Sequence, residues 1–283
     1  MKKVQIKNHS FSIPESWNEI TDEQFRYIAI LLSTKLNPHE MLVKLFLFIT
    51  GIEAGDGFYT VGEKPFVSVK IQKEKFLLSS EELAYATTLL QWIFHERRKE
   101  SGEVIYEFRC DRINNPVPKL QCGKTILHGP SDGLTNITWG EYIYASSNLY
   151  WYAKSKQTSF LVKAAAVLYR EEGERTDSDC RIPFDSDKCE YRELIIHKAP
   201  IAALHTINLW FQACQTFLKN KFPHPYEGGG TSTNDNPFDN YIRMTTAMAQ
   251  HNAPSLSDWM KTELYVVLAS LDEQIKNAKP KPK

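Results

Sequence analysis

No run of apolar residues in this chain is long enough to cross a bilayer. The longest, around Leu45–Ile49, falls far short of the roughly 20 residues a membrane helix needs, so no membrane partner is expected. The opening MKKVQIKNHSFSIPESW carries lysines without an apolar stretch behind them, so it lacks the form of a secretory leader. A charge surplus is missing too: Lys plus Arg and Asp plus Glu number 34 each. Proteins that grip phosphate backbones show a basic excess or stripe. Here the basic runs, His95–Lys99 and Lys276–Lys283, are short, and nucleic acid is not an expected partner. Cysteine is sparse and odd in number: Cys110, Cys122, Cys180, Cys189 and Cys214. Scattered single thiols suit a reducing compartment, so the expected location is cytoplasmic.

The motifs that announce chemistry are absent as well. There is no G-x-S-x-G, no H-E-x-x-H, no C-x-x-C and no glycine-rich dinucleotide fingerprint. Gly123-Lys124-Thr125 imitates the end of a phosphate loop, but the required earlier glycine is Pro118, and the segment has the pattern of a strand. The acidic stretch DSDCRIPFDSDK would need a glycine where Ile182 stands to form a calcium loop, and is read as a solvated polar loop. His197 and His205 are read as core or surface histidines. No catalytic residue, cofactor site or metal site is therefore expected.

What the chain does have is length and aromatic residues. Its 283 residues suffice for one large domain or two modest ones. Period-2 runs at Val4–Ile6 and Phe11–Ile13 predict a hairpin. Phe58–Thr60 and Phe66–Ile71, flanking VGEKP, predict another. Helical spacing predicts helices from Thr21, over Pro38–Thr50, Ser80–Lys99, Thr138–Ala153, Ser159–Arg170, Asp187–His197 and Pro200–Lys221, then near Tyr241–His251 and over Ser257–Asn277. EVIYEFRCD and KLQCGKTILHG are read as strands. The class is α+β, helix-dominant. The expected organisation is an α+β domain over 1–130, a helical domain over 131–222, a flexible linker over 223–240 and a C-terminal helical unit over 241–283.

With 6 Trp, 13 Tyr and 15 Phe, some aromatic side chains must lie outside a single core stripe. YIYASSNLYWYA alone holds five, read either as a broad core face or as a protein contact face. The final helix is the expected partner-binding element. Met260, Leu264, Val267, Leu268, Leu271 and Ile275 share one apolar stripe, with Trp259 beside it. That stripe suits either docking on its own domain or binding another chain. Self-association into a homo-oligomer is left open.

ITDEQF at Ile20 and ITWGEY at Ile137 echo each other, and Leu-Val-Lys follows both, at 42–44 and 161–163. Thr21 with Gln24, Thr138 with Glu141 and Ser79 with Glu82 each form a capping-box pattern with apolar staples, so helix-start chemistry explains much of the echo. An internal duplication remains a second explanation.

FSIPESWNEITDEQF, HGPSDGLTNITWGEYIYA, LVKAAAVLYR, CEYRELIIHKAP and the C-terminal IRMTTAMAQHNAPSLSDWMKTELYVVLASLDEQIKN resemble segments of tail-morphogenesis proteins from tailed phages and prophages of Bacteroidota-type hosts. The C-terminal layout is similar to that of tail assembly chaperones. The resemblance implies a non-enzymatic role in the host cytoplasm, binding a structural partner such as the tape measure protein during virion assembly. A minor structural virion protein, connector or baseplate-associated, is the alternative. An enzyme whose site assembles only in the fold is the third reading.

Overall fold

The computed structural model describes residues 1–61, 64–71, 73–99, 101–174, 179–227, 237–249 and 256–278. The chain divides into two units, Met1–Arg112 and Ile113–Lys283. The class is α+β with helix dominant.

In the first unit, β1 (Lys2–Ile6) and β2 (His9–Ile13) form the expected antiparallel hairpin around Lys7-Asn8 and deliver Ile13 to the core. α1 (Asp22–Ser33) starts at a true capping box. The Gln24 amide N–H donates to Thr21 Oγ1 at 3.2 Å, and the Thr21 N–H donates to Gln24 Oε1 at 3.0 Å. α2 (Pro38–Thr50) starts the same way from Asn37 and Glu40. It stops at Gly51, whose φ of 66° is the left-handed end that glycine tolerates. Trp17 seals these helices: its indole N–H donates to the Arg109 carbonyl at 2.9 Å and its ring stands edge-on to Trp92. β3 (Glu53–Val61), β4 (Lys64–Ile71) and β5 (Glu74–Ser79) make an antiparallel meander. The hairpin expected around VGEKP is present, with Gly62 and Glu63 outside the described residues, and the third strand is an addition.

The helix expected over Ser80–Lys99 is much shorter. α3 (Ser80–Thr88) begins at the Ser79–Glu82 capping box, but Thr87 and Thr88 turn their hydroxyls back onto the Ala84 and Tyr85 carbonyls. Such back-bonding weakens a helix end. A short 3₁₀ turn follows, and Phe94–Arg98 becomes β6, paired with β7 (Val104–Phe108). The apolar period through Leu90 and Phe94 thus spans a helix end and a strand.

The second unit opens with β8 (Lys119–Cys122) and β9 (Thr125–His128), joined by Gly123-Lys124 with Gly123 at φ 62°. The phosphate-loop imitation is therefore a hairpin turn. Its helices are α4 (Trp139–Ser155), α5 (Ser159–Leu168), α6 (Cys189–Ile196), α7 (Ile201–Lys221), α8 (His224–Glu227), α9 (Pro237–Ala249), α10 (Leu256–Lys261) and α11 (Leu264–Ala278). Trp139, Tyr142, Trp210 and Phe211 are fully buried in its core, and the small Ala164–Ala166 run lets α5 lie close to its neighbours.

Three organisational expectations change. The β8–β9 hairpin belongs with the helices, since the division falls after Arg112 and not after residue 130. The expected linker contains α8 and the start of α9, while its residues 228–236 lie outside the described residues. The C-terminal helices belong to the same unit as α4–α7. Finally, the single helix expected over Ser257–Asn277 is two helices. The chain extends at Thr262-Glu263, where Glu263 pairs antiparallel with Thr138. There the Trp139 N–H donates to the Thr262 carbonyl at 2.8 Å, and the Leu264 N–H donates to the Ile137 carbonyl at 3.0 Å.

Candidate functional site

α4 begins at Thr138, whose hydroxyl accepts from the Glu141 N–H at 3.3 Å while Glu141 Oε2 accepts from the Thr138 N–H at 2.9 Å. Glu141 does more than cap. It is 1% exposed, and its second oxygen lies 3.0 Å from Arg170 Nη2 and 3.5 Å from Arg181 Nη1. These are ion-pair contacts, for Oε1 makes no aligned hydrogen bond. Arg181 also donates to the Leu168 and Asn136 carbonyls, at 2.8 Å each, and grips Asp179 at 2.7–3.1 Å. Arg192, fully buried, donates through Nε to Glu171 at 3.0 Å. Three guanidiniums thus face three carboxylates. Burial draws the Arg170 guanidinium down to about 10, with the Glu141 carboxylate opposing the shift.

This network fixes a small extended ladder. His128 pairs with Arg170, Glu172 pairs with Arg181, and the Ile182 N–H donates to the Glu171 carbonyl at 3.0 Å. Gly173 is required there, because a Cβ on it would stand 2.8 Å from Ile182 Cγ2. The ladder delivers Ile182, Pro183 and Phe184 alongside α4, where the Phe184 ring lies tilted against Tyr144 at 5.9 Å. On the far side, α10 approaches α4 at Gly140.

Between these walls lies an open groove of about 960 Å³. Its floor and sides are mostly apolar: Tyr144, Ile182, Pro183, Phe184, Ile242, Leu256 and Met260. Lys188 and Lys261 stand at its margin, with Asp185 and two serines. Such an opening accepts apolar side chains from a segment laid along it, with Lys261 at the margin to meet acidic neighbours and Lys188 4.0 Å from Asp185.

The seven residues expected to bind a partner separate. Leu264, Val267, Leu268 and Leu271 are buried in their own unit and present no open face. The stripe folded inward because α11 has anchors within the unit. Tyr265 donates its hydroxyl to the Gly133 carbonyl at 2.8 Å, and the His224 N–H donates to Asp272 at 2.9 Å. Ile275 and Trp259 are half-buried, and the Trp259 indole N–H makes no hydrogen bond. Of the seven, only Met260 lines the groove.

The apolar groove residues Ile182, Pro183, Phe184, Ile242 and Leu256 were not among the expected binding residues, and Tyr144 was expected only as part of a core or contact face. Tyr144 belongs to the aromatic excess of YIYASSNLYWYA, whose members divide: Tyr142 is buried, Tyr144 faces the groove, and Trp151 is 43% exposed. Phe184 lay inside the acidic stretch read as a solvated loop. The apolar triplet Ile182-Pro183-Phe184 within it was the available signal.

Among the described residues, no group of three or more His, Cys, Asp or Glu side chains is placed to hold a metal ion, and no helix is long and apolar enough to cross a membrane. No family model, curated protein or solved structure matches this chain.

Proposed function

We propose that this chain is a non-enzymatic assembly factor, similar to a phage tail assembly chaperone, that works in the host cytoplasm. Its groove holds an apolar helical segment of a structural partner, and the tape measure protein is the expected one. The observation that supports the reading is the groove itself: apolar walls, lysines at the margin, and construction from α4 and the arginine-pinned ladder. The resemblance of the C-terminal layout to tail assembly chaperones supplies the identity of the partner.

The energetics suit holding followed by release. Three leucine-sized side chains buried in the groove contribute roughly 5–9 kcal/mol gross. Lost translational and rotational freedom removes an estimated 4 kcal/mol or more of that. What remains is affinity that tail-tube subunits polymerising on the same partner can displace.

The test is a pull-down of the tagged chain co-expressed with its neighbouring genes. Recovery of a very long helical protein, lost in Phe184→Asp and in Met260→Asp but kept in the wild type, supports the chaperone reading. Recovery of tube or baseplate subunits moves the assignment to a minor structural virion protein. Capture that survives both groove substitutions overturns the groove as the site.

A further inference from the structure

Apart from the groove, the ladder places one thiol against an imidazole. Cys180 Sγ lies 3.5 Å from His128 Nδ1, and His128 Nε2 lies 3.8 Å from Glu172 Oε2. The three come from separate segments, and backbone pairing holds all of them. The His128 N–H donates to the Arg170 carbonyl at 2.7 Å, and the Gly173 N–H donates to the Cys180 carbonyl at 2.9 Å. A carboxylate beside Nε2 favours the tautomer that carries its proton there, which leaves the Nδ1 lone pair facing the thiol. That is the arrangement in which an imidazole acts as base toward sulfur.

We propose that Cys180, with His128 as its base, is a reactive thiol and a modification site for small electrophiles and peroxides. Access agrees with this. Cys180 is half-buried and not sealed, and the Glu172 side chain at the open end is 70% exposed. The surrounding charges are tied to one another: Asp179 to Arg181 and Arg170, and Arg170 also to Glu141. They hold the ladder, and the base in contact with the thiol is the imidazole. The other four thiols are placed differently. Cys110, Cys122 and Cys214 are buried, and burial pushes the Cys110 thiol up to about 12. Burial also raises Cys122 and Cys189 above the ordinary thiol value.

With hydrogen peroxide, the Cys180 S–H proton passes to His128 Nδ1 and the sulfur electron pair attacks one peroxide oxygen. The S–O bond forms as the O–O bond breaks, and the departing hydroxide takes the proton from the imidazolium and leaves as water. Cysteine is oxidised by two electrons to the sulfenic acid, and the peroxide is reduced. With iodoacetamide the same sulfur pair forms an S–C bond and expels iodide.

The experiment treats the full-length folded chain with limiting iodoacetamide and maps the adducts by peptide mass spectrometry. Cys180 is expected to react at least about tenfold faster than each of the other four cysteines. It is also expected to react faster in the folded chain than in the chain unfolded by urea, where no imidazole is held beside it. His128→Gln should bring its rate down to that of the unfolded chain, with circular dichroism confirming the fold. First labelling at any other cysteine, or a folded rate below the unfolded one, overturns the proposal even if the His128 variant does not fold. An unchanged rate in a folded His128→Gln chain overturns it as well.

Discussion

A Cβ placed on Gly140 would stand 2.8 Å from the backbone carbonyl oxygen of Met260, so α4 and α10 meet at a residue with no side chain. The contact sets the position of Met260, and with it one wall of the groove. Because the clashing atom belongs to the backbone, it cannot swing aside as a long side chain would.

Gly140→Val is therefore expected to displace α10. The strain should cost about 1–3 kcal/mol and lower the thermal midpoint by several degrees. Capture of the partner should fall with it. Thermal unfolding and the pull-down together check this, and a valine variant with unchanged stability and capture would show that α10 can move freely.

Leu264→Asp with Leu268→Asp is expected to unfold the second unit. Both side chains are fully buried, and an isolated carboxylate there has no water and no partner. Far-ultraviolet circular dichroism and urea titration should show loss of helix, with the first unit judged separately by limited proteolysis. A double variant that keeps its helices would mean α11 stands away from its unit in solution.

Glu141 performs two tasks that two substitutions separate. Thr138→Ala removes the cap alone and should cost about 1 kcal/mol. Glu141→Gln keeps an oxygen to accept from the Thr138 N–H but leaves Arg170 and Arg181 facing a neutral amide. That variant should cost more, up to about 3–5 kcal/mol, because Asp179 alone is left to balance two buried guanidiniums. A Glu141→Gln cost no larger than that of Thr138→Ala, measured by urea unfolding of both variants, would argue that the charge of Glu141 adds nothing beyond the cap.

Alkaline pH should weaken the second unit. Tyr142 and Tyr169 are fully buried, and burial raises both hydroxyls above the ordinary value of 10.0, as it raises Tyr226 and Tyr241 beside Tyr142. Below that value the folded and unfolded chains hold these protons equally and nothing changes. Above it the unfolded chain ionises first, so stability present at neutral pH is lost as pH rises. Arg170 works in the opposite sense between about 10 and its ordinary value, but it is one group against four. Tyrosinate absorbance and helix content should change together in one cooperative step. Tyr142→Phe should move that step to higher pH, provided the lost hydroxyl contact to Tyr226 at 3.2 Å costs little.

Helix starts were legible in the sequence because a capping box lies within four residues. The Thr21, Ser79 and Thr138 boxes all form, and a fourth at Asn37 joins them. Elements decided by a distant partner were not legible. Phe94 continues an apolar helical period, and only Phe108 across the β6–β7 pair makes it a strand. Glu263 sits inside an amphipathic pattern, and only Thr138 makes it a break. The groove failed for the same reason. Glu141, Arg170 and Arg181 are ordinary charged residues in one dimension, and their meeting holds Phe184 where no local pattern shows it. The buried Leu264, Val267, Leu268 and Leu271 of α11 form a stripe in the sequence, but amphipathicity does not say which surface covers it.

The pairing of Thr138 with Glu263 also bears on how this protein comes into being. The residues that close the start of α4 are made only after everything between them has been synthesised. Until then Ile137, Trp139 and the inner face of α4 have no cover from the C-terminal helices, although all are sealed in the finished unit. Contacts of such long sequence separation form late, since closing the loop must precede any gain from it. A nascent chain stalled before residue 256 should therefore be sticky, and its maturation should depend on finishing quickly or on help from other folding factors.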